Sequence, residues 1–246
     1  MRNLISGLGT GRLAVLACAA AVSTLATAGA ADASAAATAS PNVTAPPSIG
    51  VAWYATPNAG EQCGDGPAGQ WAASPNWTTP ILIDTDSRAG GCQLAFGIYD
   101  PSAALAGLTV TYGWQISPNG DGGQCQNPTN GDYQGTFQVP IGPSQSFGTS
   151  VLDDTDNRSG YCNLTFTLSG NSSIGLDVQF YPTPGGDAGQ CNGYLPEGSY
   201  RTAYAGSPVT IGLDTDDRSG GCYLSLRLEH FGFGPNQHTT AAIRGK

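Results

Sequence analysis

Asp84-Thr85-Asp86-Ser87-Arg88-Ala89-Gly90-Gly91-Cys92 is followed twice more in the chain by a near copy of itself. The second copy is Asp154-Thr155-Asp156-Asn157-Arg158-Ser159-Gly160-Tyr161-Cys162, and the third is Asp214-Thr215-Asp216-Asp217-Arg218-Ser219-Gly220-Gly221-Cys222. The shared pattern D-T-D-x-R-x-G-[GY]-C recurs after 70 and then 60 residues. Self-similarity on that scale marks a repeat architecture.

A second pattern precedes each copy. Trp53-x-x-Thr56-Pro57 leads to Gln62-Cys63, Trp114-x-x-Ser117-Pro118 to Gln124-Cys125, and Phe180-x-x-Thr183-Pro184 to Gln190-Cys191. Each repeat thus has an early and a late cysteine, 29, 37 and 31 residues apart. The simplest symmetric pairing is within repeats: Cys63–Cys92, Cys125–Cys162 and Cys191–Cys222. A ring pairing between neighbouring repeats ranks second, because it leaves two terminal cysteines to close the circle.

After each late cysteine the sequence alternates strictly. Cys92, Leu94, Phe96 and Ile98 have counterparts in Cys162, Leu164, Phe166 and Leu168, and in Cys222, Leu224, Leu226 and Leu228. Period two with mostly polar residues between is a strand with one buried face, and the cysteine lies in its apolar phase. Short β-rich runs precede the acidic motif at Ile81–Ile83, Val151–Leu152 and Val209–Leu213. The acidic motif therefore reads as a hairpin turn, with its glycines supplying positive φ. Each repeat opens with a further strand near Val51–Tyr54, Thr109–Ile116 or Asp177–Tyr181. A weaker one centres on Trp71, Tyr133–Val139 or Tyr200–Tyr204. The fold class is all-β: three four-stranded, disulfide-stapled repeats. They are expected to form a pseudo-threefold β-trefoil- or β-prism-like fold, or else three small tandem β units. Threefold β-lectins share the repeat and strand count, but not these motifs, which makes the likeness one of fold alone.

The remaining sequence sets the boundaries. Residues 1–33 read as a signal peptide: Arg2 and Arg12, an apolar run from Leu13 to Ala30, then Ala31-Asp32-Ala33 as a cleavage site. Residues 34–49 form an Ala/Ser/Pro-rich spacer. The repeats span 50–105, 106–172 and 173–233, and 234–246 is a tail. Cleavage would leave six of the seven cysteines and a net charge of −10. An even cysteine count in an exported chain favours disulfides and a secreted, extracellular location. So acidic a chain has no electrostatic footprint for nucleic acid, and no later segment is long enough for a membrane span. Only 11% of the residues are charged, with three Glu and one Lys, which argues against exposed helices.

The candidate sites follow from residue chemistry. In Asp84/Asp86, Asp154/Asp156 and Asp214/Asp216, one carboxylate is expected to accept backbone N–H bonds. The other pairs with Arg88, Arg158 or Arg218, making a structural turn motif. Calcium is the alternative cofactor, since alternate carboxylates begin a calcium loop, but the arginine stands where a further ligand is needed. No other metal is expected and no catalytic residue is assigned: a catalytic pair needs unlike environments, whereas these pairs come in three like copies. His230 and His238 do not repeat. Trp53, Trp114 and Phe180 are expected to be core wedges. Trp71, Tyr133 and Tyr200, with Trp77, Tyr194 and Tyr204 nearby, lie in Gly- and Pro-rich surroundings and are the candidates for stacking on sugars. The function expected is non-enzymatic: a lectin-like module with repeated weak sites for a polysaccharide or glycan. The alternative is an extracellular or cell-envelope component binding a protein, and a hydrolase or inhibitor ranks below both.

Overall fold

The computed structural model describes residues 45–56, 63–64, 69–84, 90–123, 125–154, 158–215 and 219–230. The signal peptide, most of the spacer, the tail with His238, and Asp86, Arg88, Asp156, Asp216 and Arg218 lie outside the described residues. Asp84, Asp154 and Arg158 are placed as strand residues only.

Among the described residues, fifteen strands carry the fold. The first repeat contributes β1 (Ser48–Ala55), β2 (Gln70–Ala73), β3 (Ile81–Asp84) and β4 (Gly91–Tyr99). The second contributes β5 (Thr109–Ile116), β6 (Cys125–Gln126), β7 (Gln134–Gln138), β8 (Ile141–Gly142), β9 (Val151–Asp154) and β10 (Arg158–Ser169). The third contributes β11 (Ile174–Pro182), β12 (Cys191–Asn192), β13 (Arg201–Ala203), β14 (Val209–Thr215) and β15 (Gly221–His230). A single 3-10 turn, Ala188–Gln190, is the one helical element among the described residues. All twelve expected strands are present, and the longer ones are runs rich in β-branched and aromatic residues.

The strands form three open sheets, ordered β2-β1-β4-β9-β6 with β8 beside β4, β12-β14-β10-β5-β7, and β13-β11-β15-β3. The strands flanking each acidic motif do not pair with one another. β3 pairs with β15, β9 with β4, and β14 with β10. The expected hairpin turn is therefore corrected: the acidic motif is a crossover between sheets, and each repeat lends the strand before it to a neighbour. Nor are the repeats tandem units, since strands cross between them and all three contribute to one hydrophobic cluster.

Strand periodicity fills that core. Leu94, Phe96, Ile98, Leu164, Phe166, Leu168, Leu224, Leu226 and Leu228 are all buried, as are Trp114 and Phe180, while Trp53 packs partly buried against them. The three disulfides join Cys63–Cys92, Cys125–Cys162 and Cys191–Cys222, with Cα–Cα distances of 5.5, 5.2 and 5.7 Å. The [TS]-P motif also acquires a role. The hydroxyls of Thr56, Ser117 and Thr183 accept from the N–H of Gly91, Tyr161 and Gly221, just before the late cysteine. Their own N–H groups donate back to the carbonyls of those residues. Gly90, Gly160 and Gly220 adopt φ of 95°, 97° and 94°, which explains the motif glycine.

Candidate functional site

The antiparallel register makes the repeats comparable rung by rung. Five residues after each late cysteine the outward position is Gly97, Thr167 or Arg227. Across the ladder these face Gly50, Thr111 and Asp177. Those in turn face Trp71, Gln138 and Thr202 on the adjacent strand. One backbone rung thus carries three chemistries.

In the first sheet the rung is filled. A side chain at Gly50 would meet the Trp71 ring at 2.6 Å. That ring stacks on Phe147 with centroids 4.8 Å apart. Ala52 and Ala95 on the same face are buried. Trp71 is therefore half-buried packing that covers a sheet.

In the third sheet the rung is ionic. Arg227 donates from Nε and NH2 to Oδ2 of Asp177, at 2.9 and 2.7 Å. Thr202 donates its hydroxyl to Oδ1 at 2.6 Å. Asp177 is fully buried, so a carboxylate in this position needs such partners. The guanidinium lies against both of two rings, 4.6 Å from the Trp77 centroid and 4.9 Å from that of Tyr200. Trp77 and Tyr200 meet edge to face at 5.5 Å. Glu229, two residues along β15, brings Oε2 to 3.7 Å from Arg227. Burial opposes the Arg227 charge, but the hydrogen bonds and charge of Asp177 outweigh it and hold its pKa above the ordinary value. Burial, followed by the hydrogen bond and charge of Asp177, pushes the Glu229 carboxyl up, against the pull of Arg227.

Trp77 reaches this sheet from the first repeat. Thr78 exchanges bonds with Leu226, N–H to carbonyl at 2.9 Å and hydroxyl from N–H at 3.0 Å. Ser74 donates its hydroxyl to the Leu228 carbonyl at 2.9 Å. The loop before β3 is thereby sewn onto β15, and the ring pair spans the first and third repeats.

The sequence candidates are separated by this geometry. Tyr200 is 43% exposed and joins the cluster. Tyr133 is 50% exposed but stands just before β7, its ring lying 2.9 Å from where a Gly122 side chain would begin. Trp71 thus stands on the rung whose counterparts are Gln138 and Thr202, whereas Tyr133 and Tyr200 stand just before β7 and β13. Asp214 is buried, and His230 is exposed at the end of β15. The residues sequence reasoning missed are Asp177, Arg227 and Glu229. A signal for Arg227 was present: apart from the motif arginines, only Arg201 and Arg227 are cationic within the repeats. Among the described residues no helix is long and apolar enough to cross a membrane, and no three His, Cys, Asp or Glu side chains gather as metal ligands. Comparison with family models, curated proteins and solved structures finds no match for this chain.

Proposed function

We propose that this is a secreted, non-enzymatic, lectin-like protein that binds a glycan on the outer face of its third sheet. The observation that carries the reading is the exposed Tyr200 ring, fixed beside Trp77 and Arg227 with Glu229 and Thr202 close by. Sugars are held by an apolar ring face together with rigid polar groups, and Arg227 is made rigid by Asp177. The leader and the three disulfides support export. The cyclic lending of strands supports a pseudo-threefold, prism-like arrangement.

Asp177 and Glu229 are two carboxylates in unlike surroundings, the condition for acid–base chemistry. Asp177, however, is closed off by Arg227 and Thr202, so it anchors the guanidinium and cannot reach a substrate. The alternative, an extracellular or cell-envelope protein-binding component, draws support from the exposed large apolar residues among the described ones, which are all tyrosines: Tyr54, Tyr133, Tyr194, Tyr200 and Tyr204. Tyrosine gives contact area at little entropic cost.

A glycan array probed with the full chain and with Tyr200→Ala, with and without calcium, tests the proposal. Binding that weakens about tenfold or more in the variant supports it, on the scale of a lost stacking contact. An array on which the wild type binds no glycan overturns it.

A further inference from the structure

The second sheet turns a different face to solvent. Val110, Tyr112, Leu164, Phe166 and Leu168 are buried in the core. By strand alternation Thr109, Thr111, Gly113 and Gln115 on β5 point away from it, as do Asn163, Thr165, Thr167 and Ser169 on β10. Edge strand β7 adds the exposed Gln134, Thr136 and Gln138. β14 adds the exposed Thr210. Apart from Gly113, every one of these residues carries a hydroxyl or an amide, with no charge and no aliphatic or aromatic side chain.

The side chains lie in register. Thr111 stands between Thr167 and Gln138. Thr165 stands opposite Thr210, their hydroxyls 2.8 Å apart. Asn163 lies over Gly212, where a side chain would begin 2.8 Å from its Oδ1. The same positions are covered by Trp71 and Phe147 in the first sheet and taken by the Arg227–Asp177 pair in the third.

We propose that this face of the second sheet is a binding surface for a neutral, hydroxyl-rich polysaccharide, separate from the Tyr200 site. Hydroxyls and amides both donate and accept, as does every hydroxyl of such a polymer. Neutral groups lose little on desolvation compared with a carboxylate, so a neutral ligand matches these uncharged rows in a chain of net charge −9. Threonine is stiff at χ1, so ordering it costs little. Many weak contacts along a polymer then sum.

The test is depletion of the full-length protein by insoluble cellulose, curdlan and mannan, with chitosan and alginate beads as charged comparators. The wild type should bind at least one of the neutral polymers more tightly than either charged one. Thr167→Lys and Thr167→Glu should each weaken that binding about tenfold, since either charge must be desolvated. Thr167→Ser should stay within about threefold, as a hydroxyl is retained, and so should Tyr200→Ala, as that ring leads into the third sheet and not the second. Unchanged melting temperatures show that the variants fold. If no neutral polymer is bound, the inference is overturned. It is also overturned if Tyr200→Ala removes the binding while both charged variants keep it; the reading of the third sheet then stands alone.

Discussion

Arg227 on β15 and Asp177 on β11 face one another across the ladder, joined by two hydrogen bonds to a single carboxylate oxygen of a side chain with no exposure. Arg227→Ala leaves that carboxylate buried without its cation and strips the charge from beside Trp77 and Tyr200. A loss of about 3 kcal/mol is expected, well above that of a surface pair. Chemical denaturation of the variant checks it, and a loss below about 1 kcal/mol would mean that the pair is a surface ornament.

Glu229 gives this cluster a pH dependence of known sign. Its folded pKa lies above the ordinary 4.5. The folded state therefore keeps a proton that the unfolded chain releases, and the stabilisation present at low pH is lost as pH rises through the folded value. Glu229→Gln should lack that loss. Between about pH 4 and pH 8 the melting temperature of the wild type should fall relative to that of the variant. A difference that stays level or rises contradicts the assignment.

Tyr112 is buried in the core, edge-on to Phe96 with centroids 4.7 Å apart. Its hydroxyl has no hydrogen-bond partner among the described residues. Burial, with a smaller contribution from Tyr54, pushes its pKa far up. Tyr112→Phe removes a desolvated group and keeps the ring. It is expected to leave stability unchanged or raise it by about 1 kcal/mol, read from equilibrium unfolding.

The three rings named from the sequence should respond differently. Trp71→Ala uncovers Gly50 and unstacks Phe147, and a loss of about 3 kcal/mol is expected by calorimetry. Tyr133→Ala and Tyr200→Ala should each change stability by about 1 kcal/mol or less, because both rings are largely exposed. Equal melting-temperature losses in all three would contradict the different settings of these rings.

Gly160 and Gly131 both have positive φ, of 97° and 75°. A side chain at Gly160 would begin 2.6 Å from Gly120 Cα, whereas nothing lies within 4 Å at Gly131. Gly131→Ala should cost about 1 kcal/mol, from backbone strain alone. Gly160→Ala should cost clearly more, as a comparison of thermal unfolding will show.

Strand positions and cysteine pairing were legible because period two and threefold repetition each have one simple reading. The partner of each strand was not. Alternation around Leu164 and Phe166 says which face is buried, and it is silent on whether β14 or β9 lies alongside. A short connection suggested the hairpin, and the strand lent to the next repeat defeated it. The Arg227 cluster was hidden for the opposite reason: it occurs once, whereas attention to repeats favours what occurs three times. Asp177, the only acidic residue in Ile174–Pro182, was the local irregularity that pointed to it.

The pairing of β3 with β15 joins residues 81–84 to residues 221–224. During synthesis the first repeat's lent strand thus waits, with one edge unsatisfied, until β15, the last of the described strands, has been made. Assembly cannot proceed one repeat at a time from the amino terminus. A chain shortened before Gly221 would present that edge to any strand it met, and a lone repeat would need two further copies of itself to find all its neighbours.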